Sequence, residues 1–355
     1  TSTTPTTTNR PTTTTPTTNG NGGATDPVGD FTLGMGVVLD SATSSRLTMT
    51  FAAVVLDAEG KIVSCKIDVI YNGYSIDYDN EEIMFTNFQT KAELGYDYAM
   101  SRWGINMDNN GDGIVKEWFE QAQAFENYVV GMTVEEVSNM QTQFVNNYYI
   151  SADDALLSAG CTIQITEFID AVVKACNDEQ ARTFATGGDF TLGLGIISQD
   201  NGSYFDYDDY AAYIRMNVDF AASVTSATDG TNLALIVDGA QPQATIDEYG
   251  DVYNVSVGKG DGIVKTKREL REDYRMSAYG MDQNGDGRVL EWYLQSAAFS
   301  SYVVGLTANQ IIAMPTQTTS NGHIISAEDE LLNAGCTIQI TGLKEVAVKS
   351  IANSR

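Results

Sequence analysis

The chain of 355 residues has little of what many catalytic and nucleic-acid-binding sites require. It contains one histidine, His323, and 20 Lys and Arg residues against 47 Asp and Glu residues, which gives a formal net charge of −27. A single histidine in a polar stretch argues against Ser-His-Asp, Cys-His and histidine-zinc chemistry. Because nucleic-acid binding needs a basic surface, the composition also excludes nucleic acid as an expected partner.

Long hydrophobic runs are absent as well, and no stretch is apolar enough for long enough to span a bilayer. The chain begins at Thr1 rather than at a methionine, which we interpret as the product of a processed precursor. An acidic surface suits a calcium-rich exterior. We therefore expect an extracellular or cell-surface protein without a transmembrane segment.

The four cysteines form neither a CxxC pair nor a regular framework. Cys161 and Cys336 stand in the same sequence, Ala-Gly-Cys-Thr-Ile-Gln-Ile-Thr, which is typical of a small buried hydrophobe in a strand. Cys65 and Cys176 have no such counterparts. These two residues could form a disulfide or remain as free thiols, and both alternatives stay open because the sequence alone cannot assign connectivity.

Residues 1–26 are mainly threonine with proline, asparagine and glycine, a composition that cannot bury a core. Proline favours an extended path, and threonine-rich tracts with proline are typical of O-glycosylated stalks. We interpret this segment as an extended glycosylated arm that contacts a neighbouring copy, with an unstructured linker as the alternative. A head-to-tail contact of that kind builds filaments.

The rest of the chain is a tandem duplication, which we divide into repeat domains at residues 27–182 and 183–355. The matching segments are 30–36 and 189–195, 90–94 and 266–270, 128–133 and 302–307, and 151–157 and 326–332. The period of roughly 175 residues is too long for a solenoid repeat and predicts two globular domains.

Each repeat starts with strand patterns and continues with helix patterns. Alternating apolar residues at 47–56 and 62–71, joined by a turn at 57–60, predict a hairpin. Capping boxes predict helix starts at Thr90, Thr133, Ser151 and Thr266. Short strands at 161–165 and 336–340 and a final helix complete each repeat. The fold class is therefore α+β: two tandem domains, each an antiparallel sheet followed by helices that flank a loop.

That loop carries the clearest chemical motif in the chain. Residues 107–118 read Met-Asp-Asn-Asn-Gly-Asp-Gly-Ile-Val-Lys-Glu-Trp, and residues 281–292 read Met-Asp-Gln-Asn-Gly-Asp-Gly-Arg-Val-Leu-Glu-Trp. Oxygen-bearing side chains alternate, and a glycine follows that permits a sharp turn. Calcium takes about six to eight oxygen ligands from side chains and carbonyls. The spacing is that of the first half of an EF-hand loop.

The end of the loop departs from that pattern. Phe119 and Tyr293 occupy the position of the last EF-hand ligand, and a glutamate stands two residues earlier in both copies. We therefore predict two calcium sites, in which Ile114 and Arg288 act through their carbonyls. The predicted ligands are Asp108, Asn110, Asp112, Ile114 and Glu117, and Asp282, Asn284, Asp286, Arg288 and Glu291. The loops resemble the shortened EF-like loops of dockerins; a simple Asn-Gly-Asp-Gly turn is the alternative.

The order of several motifs resembles extracellular FMN-binding-domain-like proteins of Firmicutes. They are Thr-Lys-x-Glu-Leu-x-x-Asp-Tyr-x-Met, Lys-Glu-Trp-Phe-Glu-Gln-Ala, Tyr-Val-Val-Gly-Met-Thr and Ala-Gly-Cys-Thr-Ile-Gln-Ile-Thr. The resemblance implies an α+β domain that is secreted or membrane-anchored. Related proteins carry FMN on a threonine within a Gly-Ala-Thr-Ser/Thr motif. Here Gly23-Ala-Thr25 is followed by Asp26 and occurs once, so we do not expect bound FMN.

Three hypotheses for function follow. The first is a non-enzymatic, self-assembling cell-surface structural protein with two calcium sites and a glycosylated arm. The alternative is an extracellular FMN-binding redox module, which depends on the family resemblance. The third is a carbohydrate-active surface protein, because paired carboxylates such as Asp153 and Asp154 are plentiful.

Overall fold

The computed structural model describes residues 30–103, 108–109, 111–258, 264–280, 282, 285 and 287–354. The predicted arm at 1–26, including the Gly-Ala-Thr motif, lies outside these residues, as do Asn110, Asn284 and Asp286. Within the described part the fold is mixed sheet and helix, so the α+β class is confirmed.

The first half of the chain builds one antiparallel sheet. Its strands are β1 (Asp30–Thr43), β2 (Arg46–Leu56), β3 (Ile62–Asp77), β4 (Glu82–Phe85) and β7 (Arg182–Ala185), in the order β4-β3-β2-β1-β7. The predicted hairpin is confirmed, because β2 pairs with β3. The turn is closed by the Asp57 side chain, which accepts a hydrogen bond from the Lys61 N–H at 2.8 Å.

Short helices and a small hairpin follow on one side of this sheet. They are α1 (Lys91–Leu94), α2 (Met100–Trp103), α3 (Trp118–Tyr128), α4 (Val134–Ser138), β5 (Thr142–Val145), β6 (Tyr148–Ser151), α5 (Asp154–Ser158) and α6 (Thr166–Cys176). The predicted capping boxes at Thr90 and Thr133 are confirmed. A 3₁₀ turn, Gly95–Tyr98, and a left-handed Ala99 separate α1 from α2.

Two local predictions for this half are wrong. The helix after Ser151 has Asp153 as its N-cap, whose side chain accepts from the Ala155 N–H at 2.7 Å, because Asp153 directly precedes the helix whereas Ser151 is still the last residue of β6. Residues 161–165 are not a strand. Instead the Thr162 N–H bonds to the side chain of Gln121 at 2.8 Å, which satisfies the backbone without a neighbouring strand.

The second half repeats this order of elements. Its strands are β8 (Phe190–Asp200), β9 (Tyr204–Asp206), β10 (Ala211–Ser226), β11 (Asn232–Ala240), β12 (Gln243–Asp247), β13 (Val252–Ser256), β14 (Thr316–Thr318) and β15 (Ile324–Ser326). Its helices are α7 (Lys267–Leu270), α8 (Met276–Tyr279), α9 (Trp292–Tyr302), α10 (Ala308–Ile312), α11 (Asp329–Asn333) and α12 (Thr341–Ala352). The capping box at Thr266 is confirmed, whereas the strand predicted at 336–340 is not formed.

The two sheets pack face to face and share one core. The Phe51 ring of β2 meets the Phe220 ring of β10 edge-on, with centroids 5.0 Å apart. Around this pair lie Leu33, Met35, Met49, Leu194, Met216, Val218 and Ile236. The outer face of each sheet is covered by the helices of its own half. The layers are therefore helices, sheet, sheet, helices, with the apolar side chains of the two inner sheet faces packed against one another.

The repeated Gly-x-Gly motif explains how closely the outer helices approach. A Cβ atom at Gly34 would collide with the carbonyl oxygen of Ala175 on α6, and a Cβ at Gly193 would collide with that of Ser350 on α12. Since only glycine lacks a Cβ, each motif allows the final helix of its half to lie against the first strand.

Reciprocal ion pairs join the halves. Lys174 of α6 pairs with Glu269 at 2.6 Å, and Lys349 of α12 pairs with Glu93 at 2.5 Å. Each glutamate also completes the capping box of α7 or α1. The predicted boundary at residues 182 and 183 falls at the start of β7, which pairs with β1 of the first half.

The remaining structural expectations concern cysteines and membranes. All four cysteines are free thiols, so the alternative of a Cys65–Cys176 disulfide is not realised. Burial raises the pKa of Cys161 and of Cys336 to about 12, which keeps both thiols protonated.

In the described part of the chain no helix has the length and apolar character needed to cross a membrane.

Candidate functional site

The first acidic loop is wound around Asp108. One carboxylate oxygen of Asp108 accepts from the Asp112 N–H at 3.1 Å, and the other accepts from the Gly113 N–H at 2.9 Å. The Asp112 carboxylate accepts from the Ile114 N–H at 2.8 Å. Gly113 has a φ of 79°, in the left-handed region that favours glycine. The loop therefore holds two carboxylates in one tight turn.

The second loop makes the same turn around Asp282. Its two carboxylate oxygens accept from the N–H groups of Gly285 and Gly287, each at 2.7 Å. Gly287 also has a φ of 79°. The two loops thus share both the anchoring aspartate and the glycine that follows, as the sequence motif predicts for the turn itself.

Glu117 has a structural role that the sequence analysis missed. This glutamate is only 3% exposed. Its oxygens accept from the N–H groups of Met100 at 2.9 Å and Ser101 at 3.3 Å, and from the Ser101 hydroxyl. These donors begin α2, whereas Glu117 itself directly precedes α3. The side chain therefore ties the two helices together at the base of the loop.

Glu291 repeats this arrangement with α8 and α9. It accepts from the N–H groups of Met276 at 2.8 Å and Ser277 at 3.1 Å, and from the Ser277 hydroxyl. The signal in the sequence is the Met-Ser dipeptide that precedes each loop, 17 residues before Glu117 in the first half and 15 residues before Glu291 in the second. A direct bond from either glutamate to a metal stays a prediction.

A buried glutamine fixes the end of each loop. Gln121 donates to the carbonyl of Lys116 at 2.8 Å, and its side-chain oxygen accepts from Thr162. Gln295 donates to the carbonyl of Leu290 at 2.7 Å and accepts from the Thr337 N–H at 2.8 Å. Each loop is thereby attached to the buried segment that contains the repeated cysteine.

The structure describes seven of the predicted calcium ligands, and three lie outside the described residues: Asn110, Asn284 and Asp286. It brings Asp108 and Asp112 together, whereas Glu117 faces the start of α2. Over the described residues, no group of three or more His, Cys, Asp or Glu side chains is close enough to hold a metal. The two calcium sites therefore stay a prediction.

A second feature of each half is a cavity beside the lysine that starts its first short helix. The cavity in the first half measures about 360 Å³. The Lys91 ammonium there lies 5.7 Å, 5.4 Å and 5.5 Å from the ring centroids of Tyr71, Tyr98 and Trp118. Such distances are favourable for cation–π attraction. In the described part of the chain no carboxylate forms an ion pair with Lys91.

Asp40 of β1 also lines this cavity. One of its oxygens accepts from the Thr50 hydroxyl at 2.8 Å, and the other is buried without a hydrogen-bond partner. Burial raises the pKa of Asp40 to about 7 and lowers the pKa of Lys91 to about 8. Both groups therefore titrate near neutral pH because the cavity disfavours their charged forms.

The cavity of the second half measures about 760 Å³. Lys267 lies over the Trp292 ring at 5.5 Å, as Lys91 lies over Trp118. Here, however, Asp219 stands 3.9 Å from the ammonium, and Asn217 accepts from it at 3.4 Å. The sequence indicated the paired lysines and tryptophans, but not that they line equivalent cavities.

Comparisons with protein-family models, with curated proteins and with solved structures found no match to this chain. The functional argument therefore depends on the residues and geometry described above.

Proposed function

We propose that the chain is a secreted or cell-surface structural protein built from two homologous α+β domains, each braced by one calcium ion. The observation that carries the proposal is the same aspartate-centred turn in both acidic loops, with Asp108 and Asp282 in equivalent roles. Copies of the protein assemble through the glycosylated threonine-rich arm.

The chemistry of the turns supports calcium. Each carboxylate oxygen has further lone pairs, so an oxygen that accepts an amide N–H can also bind a cation. Asp108 and Asp112 are partly or largely exposed, and bringing their charges together costs free energy that a divalent cation offsets. Carboxylates and carbonyls are the ligands that calcium prefers.

The position of the loops supports a structural role for the ion. Glu117 and Glu291 join the helices on either side of each loop, so an ion held in the loop stiffens the same junction. A metal that binds the folded state and not the unfolded chain adds its binding free energy to folding.

The test of this role is thermal unfolding in calcium and in excess EGTA. Calcium at a hundredfold excess over its Kd stabilises a single site by about 2.7 kcal/mol, so the native melting temperature is expected to rise. Asp108→Ala combined with Asp282→Ala abolishes that rise. The matched control is Glu59→Ala with Asp208→Ala, which removes two exposed charges outside the loops. Equal melting of the native chain in both conditions contradicts the proposal.

The assembly part has its own test. Electron microscopy of the native protein in calcium should show regular filaments, which loosen in EGTA or when residues 1–26 are removed. Dispersed single particles under all conditions would contradict assembly while leaving the calcium test independent.

A further inference from the structure

We propose that the cavity beside Lys91 binds a small carboxylate ligand that also carries hydroxyl groups, of the size of a uronic acid. This site lies on the helix-covered face of the first sheet, and none of the predicted calcium ligands lines it. The proposal does not depend on calcium or on assembly.

The comparison with the second half shows why the Lys91 ammonium is available to a ligand. Asp219 directly precedes Phe220 on β10, and Thr50 holds the corresponding place before Phe51 on β2. The carboxylate that neutralises Lys267 is thus replaced by a hydroxyl beside Lys91. An ammonium that lies against three rings without a paired carboxylate is suited to receive an anion.

The other charged groups around the cavity do not remove this preference. Arg46 is a second cation at its edge and donates to the Tyr71 hydroxyl at 2.7 Å. The Glu167 carboxylate accepts from Gln164 at 2.7 Å and from Thr166 at 2.8 Å. Asp40 is already engaged through one oxygen by Thr50. The Asp68 carboxyl group beneath the start of α1 also interacts electrostatically with Lys91, as Asp40 and Glu167 do. Among the described residues, none of these three carboxyl groups forms an ion pair with the Lys91 ammonium.

The cavity is also lined by polar side chains. The second oxygen of Asp40 and the hydroxyl of Thr48 are both buried and have no hydrogen-bond partner. Leaving buried polar atoms without partners costs free energy. The side chains of Ser41, Tyr148 and Gln164 also line the cavity and offer polar atoms to the hydroxyl groups of a ligand, groups that a simple carboxylate such as acetate lacks.

The shape of the cavity restricts the ligand further. A volume of about 360 Å³ lies at the small end of ligand pockets. Tyr98, Trp118 and Phe168 supply aromatic surface against which the apolar face of a sugar ring can pack. A cation, buried acceptors and aromatic walls together fit a monosaccharide acid better than a long chain or a bulky cofactor.

Isothermal titration calorimetry of the full chain tests the proposal, with D-glucuronate, D-glucose and acetate as probes. D-glucuronate should bind saturably, and at least about tenfold more tightly than either of the other two. Lys91→Met should weaken glucuronate binding about tenfold or more. Thr50→Asp should have the same effect, because it brings the carboxylate of the second cavity next to Lys91.

Lys267→Met is the matched control, since it removes the equivalent lysine of the other cavity and should leave glucuronate affinity unchanged. If thermal unfolding shows that Lys91→Met does not fold, the glucuronate affinity of Thr50→Asp tests the proposal instead. Absence of saturable glucuronate binding overturns the proposal. So does equal affinity for glucose, or unchanged affinity in a folded Lys91→Met or Thr50→Asp protein.

Discussion

The two halves of the molecule keep the same lysine on the same tryptophan, but they neutralise the lysine differently. In the second half Asp219 does so at 3.9 Å, whereas in the first half Thr50 takes that place and the ammonium faces aromatic rings. The helix, the sheet and the cavity are common to both. The residue at this one position on the central strand therefore decides whether the lysine has a carboxylate within 4 Å.

Other features are the same in both halves, and they are those that the architecture requires. The glutamates that join the helices, the glutamines that fix the loops and the glycines under the final helices all recur with closely similar contacts. These recurring contacts therefore belong to the packing that both halves share, whereas the two cavities differ in volume and in the partners of their lysines.

The largest expected effect comes from separating the halves. Residues 27–187 alone would expose the inner sheet face around Phe51, and 188–355 the face around Phe220. Exposed apolar patches of that kind lead to association. We expect neither piece to show a cooperative melting transition by calorimetry, and the two pieces to form a complex when expressed together. A monomeric 27–187 piece with its own cooperative transition would contradict the shared core.

A smaller effect is expected from the glycines under the final helices. Gly34→Ala and Gly193→Ala each force a Cβ into a backbone carbonyl, so both should lower the free energy of unfolding by about 3 kcal/mol. Gly188→Ala, whose Cβ meets no neighbouring atom, should change it by less than about 0.5 kcal/mol. Urea unfolding of the three variants measures the difference. If only one of the two variants Gly34→Ala and Gly193→Ala lost much free energy of unfolding, the two helix–sheet contacts would not be equivalent.

The smallest effect concerns two equivalent buried carboxyl groups. Burial raises the pKa of Asp68 and of Asp238 to about 6, against about 3.9 in an unfolded chain. Between these values the folded state keeps a proton that the unfolded state has released. The stabilisation is therefore complete below about pH 4 and is lost as the pH rises through about 6, by at most about 3 kcal/mol for each group.

Urea unfolding between pH 4 and pH 8 checks this dependence. Asp68→Asn and Asp238→Asn should each flatten the decline by a similar amount, whereas Asp208→Asn, at an exposed position, should leave it unchanged. An undiminished decline in both buried variants would show that other groups cause it.

The sequence predicted the elements whose signals are local. The alternation of apolar and polar residues predicted the β2–β3 hairpin, and the capping boxes at Thr90, Thr133 and Thr266 predicted three helix starts correctly. It missed what depends on distant residues. Residues 161–165 look like a strand, but their partner is the Gln121 side chain. The face-to-face packing of the sheets follows from contacts such as Phe51 with Phe220, which no local pattern reveals.

The acidic loops illustrate the same division. Their aspartates and glycines predicted the turn, since turn formation depends on neighbouring residues. Glu117, however, accepts a hydrogen bond from the Met100 N–H on the other side of the loop. This role at the start of α2 could be recognised only from the folded structure. The lysine cavities are lined by many segments that are distant in sequence, so no local pattern could predict them.

The most direct test of the central claim is the calcium stoichiometry of the native chain by isothermal titration calorimetry. The account predicts two bound ions per chain, one when either Asp108→Ala or Asp282→Ala is introduced, and none when both are present. Absence of calcium binding to the native chain, or binding that survives in the double variant, would contradict it.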